Sequence, residues 1–433
     1  SPPTAASERP GHGEQIHGAA GVQEGPQGQL RDQSRDGLRV GHGPKITLYI
    51  LTSMTATEAA LGRWRDDFPV FRSSVYLNSC SLGALSRRTR AAVVEVLDLW
   101  EQRGAAAWYD TWLPAAERLR QGYARVIGAE AETISLHASI SQGLSVVSES
   151  LDYSQRPRVV TTSLDFPTLA YQWLAKAGHG VEVEVVESPD GISVPLERLA
   201  RAIDGRTALV ATSHVFFSSG AIQDIPAIAA LAHAQGALLL VDGYQAAGQI
   251  AVDIQQLQAD FYLSGGLKWL LGGPGIAFLQ VHPSLISRLE PRITGWFAHA
   301  APFRFDAHHL ERAADAHRFE LGTPAVAAVY AQLAGLSLLD EIGLPEVHLV
   351  TRALTEDLIA VATARGLRPR VAARAQDRSA IVMLPRPDAA ADVRRLAAAG
   401  FIVDSRPGHV RVSPYFYNVP EDHRRLLEHL VRD

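Results

Sequence analysis

The sequence predicts an α/β fold, a mainly parallel sheet between helices joined to a smaller α+β C-terminal domain. Three observations carry that expectation. Ala237 to Val241 is a short all-apolar run closed by Asp242-Gly243, as expected of a strand buried on both faces of a parallel sheet. Between Thr133 and Leu279, runs of this kind alternate with segments of helical periodicity, which argues for right-handed crossovers. Beyond about Leu333 that alternation stops.

Composition sets the outer limits. The chain has 433 residues, 47% hydrophobic and 20% charged, which suits one large globular domain with a smaller one. A formal net charge of -5 gives no electrostatic case for nucleic acid, and no apolar run approaches a membrane span. Cys80 is the one cysteine, so neither an internal disulfide nor a zinc ribbon is available. A reducing, cytoplasmic setting is the expectation.

Residues 1–53 carry Gly-His-Gly twice and almost no apolar periodicity before Ile46. They read as a disordered N-terminal extension, with a regulatory or targeting arm as the alternative; Met54 begins the first ordered-looking text. Residues 54–75, with a short helix from Thr57 to Asp67, are expected to pack on the small domain. The large domain is placed at 76–330 and the small one at 331–433. Long helices are expected over Ser86 to Arg103 and Leu113 to Ile127. Strands are expected at Thr133–His137, Arg158–Thr162, Val181–Val186, Ala208–Thr212, Ala237–Val241, Phe261–Leu263 and Ile276–Leu279, with helices near Leu169–Lys176, Leu196–Ala202 and Ile225–Ala234. A helix from Ala325 to Glu341 leads into the C-terminal part. There Ile381 to Leu384, a helix Ala389 to Ala399, Phe401 to Asp404, Val410 to Ser413 and a closing helix make up the smaller unit.

Several features bear on chemistry. Asp242 falls at the carboxyl end of a buried strand, where open α/β sheets place their ligands. Lys268 lies in Ser264-Gly265-Gly266-Leu267-Lys268-Trp269, a glycine-rich turn just past another strand. Ser139-Ile140-Ser141-Gln142-Gly143 opens a helix whose free N–H groups suit a phosphate; a plain serine cap is the competing reading. An electron-sink cofactor such as pyridoxal phosphate needs a lysine, a carboxylate, a phosphate cup and an aromatic ring. Lys268, Asp242, Ser141 with Gln142, and Phe166 in Leu164-Asp165-Phe166-Pro167 are the parts on offer. The histidines at 299, 308, 309 and 317, near Glu311 and Asp315, match no zinc spacing, and no metal is expected. No G-x-G-x-x-G follows a strand early in the α/β region, which argues against a dehydrogenase.

In this order the parts resemble the class V aminotransferase family of fold-type I pyridoxal phosphate enzymes, over roughly Tyr76 to Asn418. Val241-Asp242-Gly243-Tyr244-Gln245-Ala246-Ala247-Gly248 is similar to its aspartate motif, and Ser264 to Leu270 to its Schiff-base lysine motif. The resemblance implies pyridoxal 5'-phosphate on Lys268, Asp242 at the ring nitrogen, Gln245 near the ring oxygen or the imine, Phe166 stacked on the ring, and Ser141 and Gln142 at the phosphate.

Within the family the likeness is strongest to kynureninase. Gly295-Trp296-Phe297-Ala298-His299, the turn ending Ser81-Leu82-Gly83, and Val410-Arg411-Val412-Ser413-Pro414 followed by Tyr417-Asn418 carry it. By that likeness Arg411 clamps a substrate α-carboxylate. Leu321-Gly322-Thr323-Pro324 resembles a segment that crosses a dimer interface, so Thr323 and Trp296 would serve the neighbouring cofactor of a homodimer with shared active sites. Gln245 stands where kynureninase-like sequences have histidine, Leu267 where they have tyrosine, and Leu169 where they have aspartate. The segment before Arg411 holds no cysteine, which disfavours a cysteine desulfurase. An enzyme acting on an α-amino acid is therefore expected, with kynureninase-like hydrolysis as first candidate. Transamination, epimerisation and C–S cleavage are the alternatives, and a non-catalytic relative is the rival of another class.

Overall fold

A computed structural model of the chain describes residues 64–431. The expected extension at 1–53, and the expected helix from Thr57 up to position 63, lie outside the described residues. Among the described residues twelve strands run in chain order as β1 (Val75–Tyr76), β2 (Ile134–His137), β3 (Arg158–Thr162), β4 (Glu182–Val186), β5 (Thr207–Ser213), β6 (Leu238–Asp242), β7 (Phe261–Gly265), β8 (Ala277–Val281), β9 (Val382–Pro385), β10 (Phe401–Ile402), β11 (Asp404–Arg406) and β12 (His409–Val412).

Seven of them form one sheet in the order β2-β8-β7-β6-β5-β3-β4. The pairs from β4 through β7 are parallel, and β8 runs antiparallel to both its neighbours. The reversal at β8 has a local cause. The link from β7 carries a glycine-rich turn and no crossover helix, and only an antiparallel neighbour can be reached that way.

Alternation along each strand sends side chains to two separate cores. On β6, Leu239 and Val241 join one cluster and Leu240 the other; on β7, Tyr262 faces the first and Phe261 and Leu263 the second. The helices Leu113–Ile127, Ile225–Ala234 and Val326–Ile342 cover the first face, while Ile140–Ser150 and Pro167–Leu174 cover the second. The result is the helix–sheet–helix layering expected of a parallel sheet buried on both sides.

The C-terminal elements make a three-stranded antiparallel sheet, β11-β12-β9. Behind it lies a third cluster containing Val382, Leu396, Val412 and Leu427. Val75 and Leu77 pack into that cluster, and β1 pairs in parallel with β10 through Val75 and Phe401. Arg65 adds a bidentate bond to Asp422 at 2.8 and 3.0 Å. One long helix was not anticipated from the sequence: Leu344–Ala364. It places Val347, Val350 and Leu354 in the first cluster and Leu358 and Ala362 in the third. Among the described residues no single helix is long and apolar enough to cross a membrane.

Candidate active site

The parallel register brings the carboxyl ends of β3, β5, β6 and β7 to one rim, and the loop after β2 starts its helix there too. A cavity of about 400 Å³ opens at this rim, with Lys268, Asp242, Phe166, Ser141, Gln245 and Arg411 in its walls. A larger hollow of about 880 Å³, beside Glu117, His299 and His317, has no lysine in its lining. The chemistry favours the smaller space.

Close packing fixes the Lys268 turn. Gly272 N donates to the Gly266 carbonyl at 2.9 Å, and a Cβ on Gly266 would stand 1.8 Å from Gln332 Oε1. Gly83 approaches so near that a Cβ there would lie 2.2 Å from the Lys268 carbonyl oxygen. Leu271 adopts φ 60°, a left-handed conformation that costs a branched residue on the order of 1–3 kcal/mol. The packing around the turn holds it there.

Asp242, Lys268 and Tyr244 in the cavity are all shifted from their ordinary values, the Tyr244 phenol upward by burial. Burial raises the Asp242 carboxyl to about 6, against the opposing pull of the Tyr244 N–H and the Lys268 ammonium. Asp242 Oδ1 accepts from Tyr244 N at 2.9 Å. Burial lowers Lys268 to about 8, with Arg411 and Arg406 acting in the same direction and Cys80 and Asp242 against it. Lys268 Nζ stands 4.6 Å from the centroid of the Tyr244 ring, a cation–π approach.

The helix Ile140–Ser150 starts with Ser139 as its cap. Ser141 Oγ lies 3.2 Å from Thr168 Oγ1, and Ser139, Ser141 and Thr168 all reach the cavity. These hydroxyls, with the free N–H groups of the first turn, have the donor chemistry that a phosphate takes. Gln142 is placed differently from the expectation: its Oε1 accepts from Ala138 N at 2.7 Å, closing the helix start, and it is absent from the cavity wall. Phe166 is half-exposed at the wall, edge-on to Phe217 at 5.1 Å between centroids. Asp165 anchors that loop, accepting from Thr162 N at 2.9 Å and Ser213 N at 2.7 Å.

Gln245 ties three segments together. It donates to the Cys80 carbonyl at 3.0 Å and accepts from Trp269 Nε1 at 2.9 Å. Arg411 is buried and donates to Phe217 O at 3.0 Å and to Ser81 Oγ and Asp404 Oδ2 at 2.6 Å each. Trp296 and Thr323 do not join this group. Trp296 is 39% exposed among Phe297, Phe303 and Phe305, and Thr323 is exposed. Among the described residues no group of three or more His, Cys, Asp or Glu is placed to hold a metal ion; His317 is instead paired with Asp315 and Glu117. Sequence reasoning missed Thr168, Tyr244 and Arg406 as wall residues. The first two lie within two positions of residues it did select.

The family model for aminotransferase class-V matches residues 104–424. An uncharacterized aminotransferase of Bacillus subtilis, YcbU, is 33% identical over 372 residues, covering 85% of this chain and 97% of that protein. The chain belongs to the aminotransferase class-V family. A kynureninase of Deinococcus radiodurans is 30% identical over 329 residues, 73% of this chain and 77% of its own length. The solved apo structure of a cysteine desulfurase from Thermococcus onnurineus NA1 superposes with a TM-score of 0.76 at 22% identity, over 84% of this chain and 95% of that one. Fold-type I is the shared architecture.

The class-V family is pyridoxal 5'-phosphate-dependent, and the residues present fit that cofactor. The buried Asp242 is aimed from a strand end, a lysine of lowered pKa shares its cavity, and a hydroxyl-lined helix start stands in the same wall. The chain is an enzyme of this class.

Proposed function

We propose that the protein acts on an α-amino acid through Lys268, with the substrate held for proton removal or return at Cα. The observation that carries this reading is the sharing of one cavity by Lys268, Asp242 and a hydroxyl-capped helix start. Pyridoxal phosphate, when bound, supplies the electron sink. Asp242 would pair with its ring nitrogen, Ser141, Ser139 and Thr168 would take its phosphate, and Phe166 would cover one ring face. An amine that titrates near 8 has a useful unprotonated fraction at neutral pH, which suits a general base. Arg411 is the proposed clamp for the α-carboxylate, with guanidinium geometry matched to that group.

Kynureninase-like hydrolysis is the first finer reaction to assay, favoured by the Gly295 to His299 segment and by the kynureninase relatives. The wall offers neither an imidazole at 245 nor a hydroxyl at 267, so the Cα chemistry is better supported than the complete kynurenine reaction. A homodimer is part of the proposal. Trp296, Phe303, Phe305 and Tyr109 form an exposed aromatic group, a patch of the kind that marks a protein interface, and Thr323 lies outside the chain's own cavity.

The test is an amino-acid screen on purified protein, read by visible absorbance and product identification, with Lys268→Ala as control. Wild type is expected to show a cofactor band that responds to at least one amino acid with product formed, and the variant to show an altered band and form no product. A band and response unchanged by Lys268→Ala would overturn the reading.

A further inference from the structure

Arg406 is a cation of the cavity that the proposed chemistry leaves unused. It lies on β11, beside the strand that carries Arg411; in that hairpin Asp404 faces Arg411 and Arg406 faces His409. Both guanidiniums reach the Lys268 cavity. Both also donate to one oxygen, Asp404 Oδ2, Arg411 from Nη2 at 2.6 Å and Arg406 from Nη1 at 2.8 Å.

Their remaining capacity differs. Arg411 spends Nη1 on Phe217 O and Nη2 on Ser81 Oγ and Asp404, and keeps only its buried Nε without a partner among the described residues. Arg406 makes its hydrogen bonds from Nη1 alone, to Asp404 and to Ser405 O at 2.7 Å. Its Nε and Nη2 have no partner among the described residues, and the side chain is 28% exposed. That unspent edge is the one that grips a carboxylate bidentately. It is also held in place: the guanidinium carbon stands 5.7 Å from the Phe217 ring centroid, and Phe217 in turn meets Phe166 edge-on. The shared Asp404 oxygen keeps the two arginines close at the wall of one cavity.

We propose that Arg406 is a specificity-determining residue that receives an acidic group on the substrate side chain, so that the enzyme prefers dicarboxylic amino acids over their amides. A neutral side chain would leave the open edge to water and gain nothing from it. The proposal names a substrate class for the Lys268 site. It rests on that reading and is independent of kynurenine hydrolysis.

Holoenzyme is titrated with L-aspartate, L-asparagine, L-glutamate and L-glutamine, reading Kd from the change in the cofactor band and KM wherever turnover follows. In wild type one acid is expected to bind at least about tenfold more tightly than its amide. Arg406→Gln is expected to weaken that acid by about ten- to a hundredfold, the scale of a charge-assisted bond, while leaving the amide unchanged. Arg406→Lys, which keeps the charge without the fork, should fall between. Thermal melts and the intact cofactor band show that the variants are folded and loaded. Equal affinity for acid and amide in wild type, or equal loss for both in Arg406→Gln, would overturn the assignment. Absence of any cofactor band would point instead to failure of the Lys268 reading.

Discussion

Asp242 and Lys268 approach neutrality from opposite sides, and burial is the leading cause for both. A buried carboxylate is tolerated when a cation stands against it, which is what a protonated ring nitrogen would provide. With its folded pKa raised to about 6 from 3.8, ionised Asp242 costs the cofactor-free protein stability as pH rises through that window. Below about 6 the group is neutral and cannot pair with a pyridinium. Cofactor affinity is therefore expected to fall as pH drops below about 6. Asp242→Asn should weaken binding about tenfold or more near neutrality, the scale of a charge-assisted bond, and should remove the acid limb. Equilibrium cofactor titrations at several pH values check both points. Of the nine residues proposed from sequence for the cofactor and substrate, six reach one cavity; five of these stand near a strand end, a helix start or a turn, and Arg411 lies within β12. Gln142 departs because its amide is drawn to the Ala138 N–H one helical turn back, a local competition that a motif does not reveal.

At the scale of elements, periodicity was a good guide wherever a segment buries one defined face. Arg158–Thr162, Leu113–Ile127, Leu196–Ala202 and Ile225–Ala234 have the expected bounds. The helix Leu344–Ala364 was overlooked although Val347, Val350, Leu354 and Leu358 stand at helical spacing, a signal interrupted by Pro345 near its start. Arg406 was illegible for a different reason. Like Arg411, it reaches the cavity only because the β11–β12 hairpin folds back toward β3, β5 and β6, and unlike Arg411 it stands in no motif that points there.

A second ionisable cluster joins two elements. His317, in the turn Ala316–Phe319, is raised to about 9 by its bonds to Asp315 and to Glu117 of helix Leu113–Ile127. A raised histidine stabilises the fold fully below 6.5 and loses that contribution as pH climbs through about 9. His317→Gln should thus lower Tm by about 2 °C at pH 6 and make little difference near pH 10. Melting curves at the two pH values decide it, and a deficit that persists at alkaline pH would assign His317 a packing role alone.

For the whole molecule, the sheet, its two helical layers and the C-terminal sheet serve to deliver groups from distant segments to one rim. The segment from Asn78 to Gly83 illustrates this. Ser79 Oγ meets Tyr417 Oη at 2.8 Å, Cys80 N donates to Ser413 Oγ at 2.9 Å, and Gly83 N donates to Leu267 O at 3.0 Å. Residues far apart in the chain are locked around the lysine turn. If Trp296 and Thr323 complete the neighbouring site, a mixture of Lys268→Ala and Thr323→Ala chains should recover activity that neither homodimer has. Sedimentation at the mass of two chains with no recovery in the mixed dimer would show that each site is self-contained.

Lys268 is expected to carry the cofactor, and the sequence makes that assignment unusually accessible to proof, because the chain has only three lysines, Lys45, Lys176 and Lys268. Borohydride reduction of the holoprotein followed by peptide mass mapping is the direct measurement. The expected result is loss of the visible band and one phosphopyridoxyl-bearing peptide, the one containing Lys268. Label on Lys45 or Lys176, or a reduced protein bearing none, would contradict it.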